Sequence, residues 1–366
     1  MSETPNKKPE ESFPQADFEK ITTMVSAEFQ IEEALLEQNI PTYYLKQPQE
    51  TKQAFRHLLK KLESLNLIAI LRKVDGKIVL KIVSKPPSKP GNVLVNWVLF
   101  FATIGTTFLT GYLLSGDLIN PILGGATFMI AIMAISGIHE MGHKLTANKK
   151  GIDATPPYFI PGPPPIGDLL GIGTFGAVIM QKSLPPDKDA LFDIGANGPL
   201  LGFVVALVVS IVGFMLSPIY PLTGKESFIP VPLIFELFAL FLVKVPPNHY
   251  ITLHPVAFAG WAGMIITMFQ LFPAAMLDGG HVARSLFGEK TRTVLTFLSI
   301  MSLVLVSPPM AIFVLFMSMF RHPGPLNDVS GLSTSRKLLA VGLVAIFVLC
   351  SFLHYFVYIL LELLKL

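Results

Sequence analysis

The chain has 366 residues, of which 51% are hydrophobic and only 14% are charged, and its formal net charge is +3. Soluble domains carry about 25% charged residues, so this composition excludes an ordinary soluble protein and indicates a membrane protein. A net charge this small gives no reason to expect nucleic-acid binding. The single cysteine, Cys350, excludes both a disulfide framework and a cysteine-based metal site.

The first 89 residues differ from the rest because they are rich in Lys and Glu, whereas the remainder is mostly apolar. We predict a disordered tail over residues 1–17, a cytoplasmic α+β domain over 18–84, a linker over 85–92 and a membrane-embedded domain over 93–366. Residues 1–25 contain no signal-peptide core and lack the Arg- and Ser-rich composition of an organelle transit peptide. This favours a prokaryotic membrane.

The N-terminal domain combines helical and strand patterns. Residues 18–45 and 49–65 contain apolar residues at helical spacing. Residues 67–71 and 77–83 are rich in β-forming residues and flank Asp75-Gly76, which is a hairpin turn signal. The sequence therefore predicts two helical segments followed by a β-hairpin.

The remaining chain contains five charge-free runs long enough to cross a bilayer: 93–114, 118–138, 194–216, 255–277 and 338–361. The apolar segment 230–243 is shorter than these runs and includes Glu236. Both features favour a half-helix or an interfacial segment over a full span. The apolar segment 294–320 is interrupted at Pro308-Pro309. It could form either a hairpin of two short helices or one kinked helix. The predicted fold is a polytopic α-helical membrane protein of about six to seven transmembrane helices.

Basic residues predict the orientation, because cytoplasmic loops are enriched in Lys and Arg. Lysines precede the first span and follow the second: Lys81, Lys85, Lys89, Lys144, Lys149 and Lys150. The N-terminal domain and the end of the second span are therefore expected to face the cytoplasm. If residues 230–243 do not cross, the end of the run 255–277 returns to the same side.

Five residues at the end of the second run, His139-Glu140-Met141-Gly142-His143, form a His-Glu-x-x-His motif. On a helix, His139 and His143 share one face, so their neutral imidazoles can bind one Zn²⁺. Glu140 is offset from them and can accept a proton from a metal-bound water and pass it to a leaving amine. The plainer alternative is a pair of polar residues that close a helix end.

A catalytic zinc requires a third protein ligand. The candidates are Asp168, Asp193, Glu236, His249, His254, Asp278, His281 and His354. Asp278 is favoured because it ends a charge-free run, and because an ionised carboxylate at membrane depth needs a partner such as a metal. The alternative is a turn or N-cap aspartate in a Leu-Asp-Gly-Gly bend. His249 and His254 are expected to be interfacial or structural, and His281 is expected near the mouth of the site.

The motif at a span end, followed by Pro-x-x-x-Leu-Asp-Gly over residues 273–279, resembles the site-2 proteases, which are intramembrane zinc metalloproteases. Residues 159–167, 173–178, 251–260 and 321–328 resemble the branch shared by plastid homologues of the ethylene-dependent gravitropism type and by prokaryotes. The resemblance covers residues 90–330 or so. It implies one Zn²⁺ per chain held by His139, His143 and Asp278, with Glu140 as the general base.

Gln270 departs from that family, which usually has Asn three residues before the motif proline. The resemblance implies that this position binds the substrate backbone or orients the site. Gln keeps the amide donor and acceptor on a longer arm. Gln270, Asn197, Gly173 and Phe175 are accordingly the candidates for substrate contact.

Residues 156–165 contain six prolines, which exclude a helix, and residues 172–180 are compatible with a strand. This membrane-associated β or loop segment could hold an unwound substrate by β-augmentation, or it could only plug the helical bundle. Asn197-Gly198-Pro199 could break the third span near zinc. Helix packing through Gly195, Gly198 and Gly202 is the alternative.

The sequence thus predicts a multi-pass endopeptidase that cleaves transmembrane segments of other proteins within the lipid bilayer, in regulated intramembrane proteolysis, near the cytoplasmic face of a prokaryotic cell membrane. The alternative is a proteolytically inactive zinc-binding homologue or a transporter-like protein. A transporter would repeat His/Asp pairs along several spans, and an inactive homologue would usually lose Glu140. The sequence identifies no partner for the N-terminal domain.

Overall fold

A computed structural model describes residues 15–87, 91–167, 171–224, 228–320 and 322–352. The expectations for Asp168, His354 and residues 1–14 lie outside these ranges. The chain forms two compact units. The N-terminal unit combines the described residues before 88 with Pro185–Lys188 and Pro325–Gly331, and the helical unit contains the rest.

The N-terminal unit has the order α1 (Gln15–Ser26), β1 (Ile31–Glu37), β2 (Ile40–Leu45), α2 (Lys52–Glu63), β3 (Leu67–Val74) and β4 (Lys77–Ser84). The strands form one antiparallel sheet in the order β1-β2-β4-β3. The apolar face of α2, which includes Phe55, Leu58 and Leu62, is buried. The hairpin predicted at Asp75-Gly76 is confirmed, since both residues adopt positive φ between β3 and β4.

The helical pattern predicted over residues 18–45 is wrong beyond Ser26, where α1 ends. Gln38 and Asn39 adopt φ of 47° and 64° and form a two-residue turn between β1 and β2. Such turns join antiparallel strands because their twist matches that of the sheet. The local turn and the pairing of β2 with β4 therefore override the helical spacing of the apolar residues.

Two distant chain segments extend this sheet beyond β3. The Leu71 amide donates to the Leu326 carbonyl at 2.9 Å, and the Asp328 amide donates to the Leu71 carbonyl at 3.2 Å. The Leu326 amide in turn donates to the carbonyl of Pro185 at 2.8 Å. Segments 325–331 and 185–188 thus add parallel pairing at the edge that β3 would otherwise leave open.

Buried polar contacts fix these two segments. Asn327 is fully buried, and its amide nitrogen donates to Ser330 Oγ at 2.6 Å and to the Thr51 carbonyl at 3.3 Å. Asp187, also fully buried, accepts from Arg56 Nε at 2.6 Å. Buried polar groups are stable only when they are hydrogen-bonded, so these contacts specify one arrangement of the segments.

Among the described residues of the helical unit, three helices are long and apolar enough to cross a membrane: α3 (Val93–Leu114), α4 (Pro121–Lys149) and α5 (Lys188–Leu216). Shorter apolar helices are Leu233–Val243, α7 (Pro255–Leu271) and α9 (Pro308–Ser318). The first of these comprises α6 (Leu233–Phe238) and a π-helical turn (Ala239–Val243). The remaining helices are α8 (Asp278–Val306) and α10 (Thr334–Cys350). The chain is therefore an integral, multi-pass helical protein.

Several helices depart from the predicted runs. The second run, 118–138, was predicted to end at the motif, but α4 starts at Pro121, capped by Asn120, and continues to Lys149. The run 255–277 ends early, because α7 stops at Leu271. Of the two alternatives for Asn197-Gly198-Pro199, the break does not occur, since α5 passes through Pro199. The expected break at Pro308 is confirmed, because α8 ends at Val306 and α9 begins at Pro308.

Two short antiparallel sheets accompany the helices. β5 (Tyr158–Pro161) pairs with β6 (Thr174–Val178), as the proline-rich and β-compatible segments predicted. The hydroxyl of Thr106 on α3 donates to the Gly173 carbonyl at 2.6 Å and ties this sheet to the helices. β7 (Ile219–Pro221) pairs with β8 (His249–Ile251).

Candidate metal centre

The motif residues lie on the buried face of α4. His139 and His143 are each 5% exposed, and their Nε2 atoms are 3.1 Å apart. This follows from their spacing, because residues four apart on a helix stack one turn above another. The Glu140 carboxylate is equally buried, and its Oε1 lies 3.9 Å from His139 Nε2.

Glycines of α5 make room for the two imidazoles. A Cβ added at Gly198 would overlap the His143 ring, and one added at Gly202 would lie 2.9 Å from His139 Nδ1. A Cβ at Gly195 would lie 2.7 Å from the Asp278 carbonyl. The packing role predicted for these three glycines is therefore confirmed.

Asp278 reaches both histidines from the first residue of α8. Its Oδ2 lies 3.2 Å from His139 Nε2 and 3.2 Å from His143 Nε2. The sequence predicted that Asp278 lies at the end of a span. In the structure it lies directly after the turn that separates α7 from α8. The expected proximity of Asp278 to the motif is nevertheless present.

The protonation of His143 shows what this triangle of atoms can hold. Its Nδ1 lies 2.7 Å from the carbonyl oxygen of Ile194, which can only accept, so Nδ1 carries a proton, and in the neutral imidazole Nε2 then presents a lone pair. Three buried nitrogen and oxygen atoms separated by 3.1–3.2 Å can share one cation between them. Tetrahedral zinc with bonds of about 2.0–2.2 Å holds its ligand atoms roughly 3.3 Å apart, so the donor set fits zinc.

The strand β6 approaches the same site. The backbone amide of Ile179, directly after β6, donates to the Glu140 carboxylate. In the part of the chain that the structure describes, β6 pairs with β5 along one edge and with no strand along the other. The glutamate thus lies beside the end of a strand that retains a free edge.

Comparison with known proteins identifies the family. Residues 127–306 match the model of peptidase family M50. The chain belongs to peptidase family M50. This M50 chain is 32% identical over 221 residues to the probable zinc metalloprotease EGY1, chloroplastic, of Oryza sativa subsp. japonica, covering 56% of this chain and 37% of the relative.

Two Arabidopsis thaliana proteins are similarly related to the M50 chain. The probable zinc metalloprotease EGY1, chloroplastic, is 30% identical over 65% of this chain and 44% of its own length. The probable zinc metalloprotease EGY2, chloroplastic, is 29% identical over 63% and 41%, respectively. The M50 chain therefore spans about two fifths of the length of these relatives. No solved structure matches it.

The other candidate ligands lie elsewhere in the M50 chain. Asp193 binds Arg336, with Nε–Oδ1 at 2.7 Å, and Lys150 at 2.8 Å. His254 Nδ1 caps α7 by accepting from the Val256 amide, and the exposed His249 bonds the Pro247 carbonyl. Glu236 is half-buried on α6, and His281 pairs with His322. Among the described residues, no other cluster of three His, Cys, Asp or Glu side chains could hold a metal.

The candidates for substrate contact have different surroundings. Gly173 has φ +75° and packs against Thr110 of α3, which gives it a structural role. The Asn197 amide donates to Thr146 Oγ1 at 2.8 Å, and Phe175 on β6 is 71% exposed. Gln270 is half-buried near the end of α7, and its amide bonds none of the described residues. Their contacts with substrate remain predictions.

One participant in the site escaped the sequence. The Ile194 carbonyl orients His143 through its Nδ1 atom, and such second contacts fix the tautomer of a metal-binding histidine. Every residue has a backbone carbonyl, so the residue type at position 194 does not predict this contact. It is visible only from the way in which α5 packs against α4 in the structure.

Proposed function

We propose that this chain is an intramembrane zinc endopeptidase that cleaves transmembrane segments of other membrane proteins. The supporting observation is that Asp278, at the start of α8, meets His139 and His143 of α4, which also carries Glu140 and is long enough to cross a membrane. His139 and His143 are the proposed nitrogen ligands and Asp278 the oxygen ligand of one Zn²⁺ per chain. This leaves a fourth position for water or substrate.

Bound zinc would supply a Lewis acid and lower the pKa of a coordinated water. The chain's own residues do the remaining work. The Ile194 carbonyl keeps His143 in the tautomer whose Nε2 is free to bind. Glu140, with Oε1 3.9 Å from His139 Nε2, accepts the proton of the attacking water and returns it to the leaving amine nitrogen.

The substrate must present an extended backbone, because the amides of an intact helix are bonded internally. The free edge of β6 supports binding of an unwound segment by β-augmentation, and Phe175 and Val178 are exposed along that strand. The unpartnered Gln270 amide is available to bind substrate backbone. Asn197 is already bonded to Thr146, so we assign it a weaker role.

The location follows from the same helices. We place the protein in a prokaryotic cell membrane, with the active site towards the cytoplasmic face, because Lys144, Lys149 and Lys150 follow the motif on α4. The remaining apolar helices would raise the number of transmembrane helices to about six or seven. The plant relatives are named as chloroplastic, so the shared feature is a membrane rather than one compartment.

A proteolytically inactive zinc-binding homologue is the second candidate, and Gln270 is the observation that favours it. Glu140 argues against it, since the general base is present and buried beside the metal ligands. A transporter-like role has less support, because the described residues contain no second cluster of metal-binding side chains.

Glu140→Gln tests the proposed mechanism. Zinc content and cleavage of a model transmembrane substrate in detergent are measured for the wild type, this variant and Glu236→Gln as the matched control. We expect Glu140→Gln to retain zinc and to lose about 10²–10⁴-fold in cleavage rate, as removal of a general base requires. Glu236→Gln is expected to match the wild type. Undiminished cleavage by Glu140→Gln contradicts the mechanism.

A further inference from the structure

The turn that delivers Asp278 contains a strained residue. Ala275, three positions before the aspartate, has φ of +47° and is fully buried. A non-glycine residue in this left-handed region is strained because its Cβ approaches the following carbonyl. Interactions from outside the turn must therefore hold this conformation.

Two side chains of α8 bind the backbone of Ala275. Its amide donates to Thr296 Oγ1 at 3.0 Å, and its carbonyl accepts from Arg292 Nη1 at 3.1 Å. Both side chains are 5% exposed. Side chains from the later part of α8 thus form hydrogen bonds to the turn that immediately precedes the same helix.

Arg292 is itself fixed by a carboxylate. Its Nε and Nη2 donate to the two oxygens of Glu289 at 3.0 Å and 2.6 Å, and this paired arrangement fixes the guanidinium plane. Glu289 Oε2 also lies 3.1 Å from Arg284 Nε. Gly288, with φ 81° and ψ −175°, interrupts the helix between these two arginines. Glu289 therefore bridges the two parts of α8.

Tight packing links the turn to the metal ligand. A Cβ added at Gly279 would overlap the Leu271 carbonyl, and one added at Gly280 would lie 2.5 Å from the carbonyl oxygens of Ala274 and Ala275. The start of α8 consequently has no space in which to shift independently of the turn. A displacement of Ala275 moves the Asp278 carboxylate relative to the histidines.

We infer that Thr296 and Arg292 are positioning residues for the third metal ligand, acting through the left-handed turn at Ala275. This inference rests on the proposed function, because it assigns Asp278 to zinc. Neither residue is among the groups within hydrogen-bond distance of His139, His143 or Asp278 in the described chain. Their effect is therefore on ligand geometry rather than on the reacting atoms.

The test compares zinc loss from the full-length protein to a chelator in detergent. Thr296→Val keeps the side-chain shape but removes the acceptor for Ala275, so we expect zinc to leave about tenfold faster, as for other groups that orient metal ligands. Thr296→Ser keeps the hydroxyl and is expected to release zinc at the wild-type rate. Thr293→Val is the matched control, because the exposed Thr293 hydroxyl bonds only within its own helix, to the Glu289 carbonyl.

A rescue separates positioning from folding. Glycine adopts positive φ without strain, so Ala275→Gly added to Thr296→Val should return zinc release towards the wild-type rate. Arg292→Lys keeps the charge but loses the planar pairing with Glu289, and we expect faster release there also. Circular dichroism and the unfolding midpoint of each variant establish that it is folded.

Several outcomes would overturn the inference. Wild-type zinc release by both Thr296→Val and Arg292→Lys overturns the positioning role, as does fast release by Thr296→Val that Ala275→Gly fails to slow. The proposed function fails separately: a zinc-loaded wild type that cleaves no membrane substrate contradicts proteolysis while the zinc-release differences still support positioning. A wild type that binds no zinc overturns both.

Discussion

The two halves of the proposed metal centre hold their candidate ligands by different means. His139 and His143 project from one continuous helix, and glycines of α5 pack against their rings. Asp278 instead follows a turn of irregular backbone that contains the strained Ala275. The helical half depends on space for the rings, whereas the turn half depends on hydrogen bonds that hold the backbone. Substitutions should therefore disturb the helical half through steric overlap and the turn half through loss of hydrogen bonds or charge.

The largest expected effect is on the turn half. Asp278→Asn keeps the size of the side chain but removes the negative charge that faces the two imidazoles. Loss of one partner of a buried charged pair costs about 3–5 kcal/mol, which corresponds to roughly a hundred- to several-thousandfold weaker zinc binding. Metal competition measurements would give this ratio.

Asp193→Asn serves as its control, because Asp193 binds Lys150 and Arg336 rather than the histidines. This control should keep zinc even if the unfolding midpoint falls. Unchanged zinc affinity in Asp278→Asn would show that the third ligand is another residue.

The helical half is broken by adding one methyl group. In Gly198→Ala, the new Cβ would overlap the His143 imidazole. Overpacking of this kind costs about 1–3 kcal/mol, and because the displaced ring carries a ligand atom, we expect zinc affinity to fall roughly ten- to a hundredfold. Gly105→Ala on α3 is the control, since a Cβ there meets no atom within 4 Å. Equal zinc affinity in both variants would mean that α5 does not set the His143 ring.

The smallest effect distinguishes metal binding from substrate binding. Gln270→Asn restores the residue usual in the site-2 proteases and shortens the side chain by one methylene. We expect unchanged zinc affinity and a change of about tenfold or less in KM for a membrane substrate, because one adjusted hydrogen bond contributes about 0.5–1.5 kcal/mol. A large loss of zinc would instead make Gln270 part of the metal site.

The sequence predicted the helical half well, because i,i+4 spacing on an apolar helix determines where His139 and His143 point. It also identified Asp278, but it placed that residue at the end of a span. The turn after Leu271 depends on contacts of Ala275 with Arg292 and Thr296, and those contacts join residues whose separation no local pattern encodes. The same limit hid the contact between Ile194 and His143.

The predicted ends of secondary-structure elements were wrong where long-range strand pairing competes with the local spacing of apolar residues. The apolar residues after Ser26 repeat at helical intervals, yet they form β1 and β2 because the sheet supplies partners for their backbone groups. At Pro199 the opposite occurred. Pro199, where a break in α5 was one of two alternatives, is tolerated within the helix, since neighbouring helices can support the local backbone in an apolar bundle.

The N-terminal sheet also has a consequence for biosynthesis. Thr51 and Ser330, which share a hydrogen bond in that unit, are 279 residues apart in the chain. At a translation rate of about 5–20 residues per second, they emerge roughly 15 seconds to one minute apart. During that interval the edge of β3 is unpaired and can associate with another strand. The N-terminal unit is thus synthesised first and closed last, after the helix that carries His139 and His143 has been made.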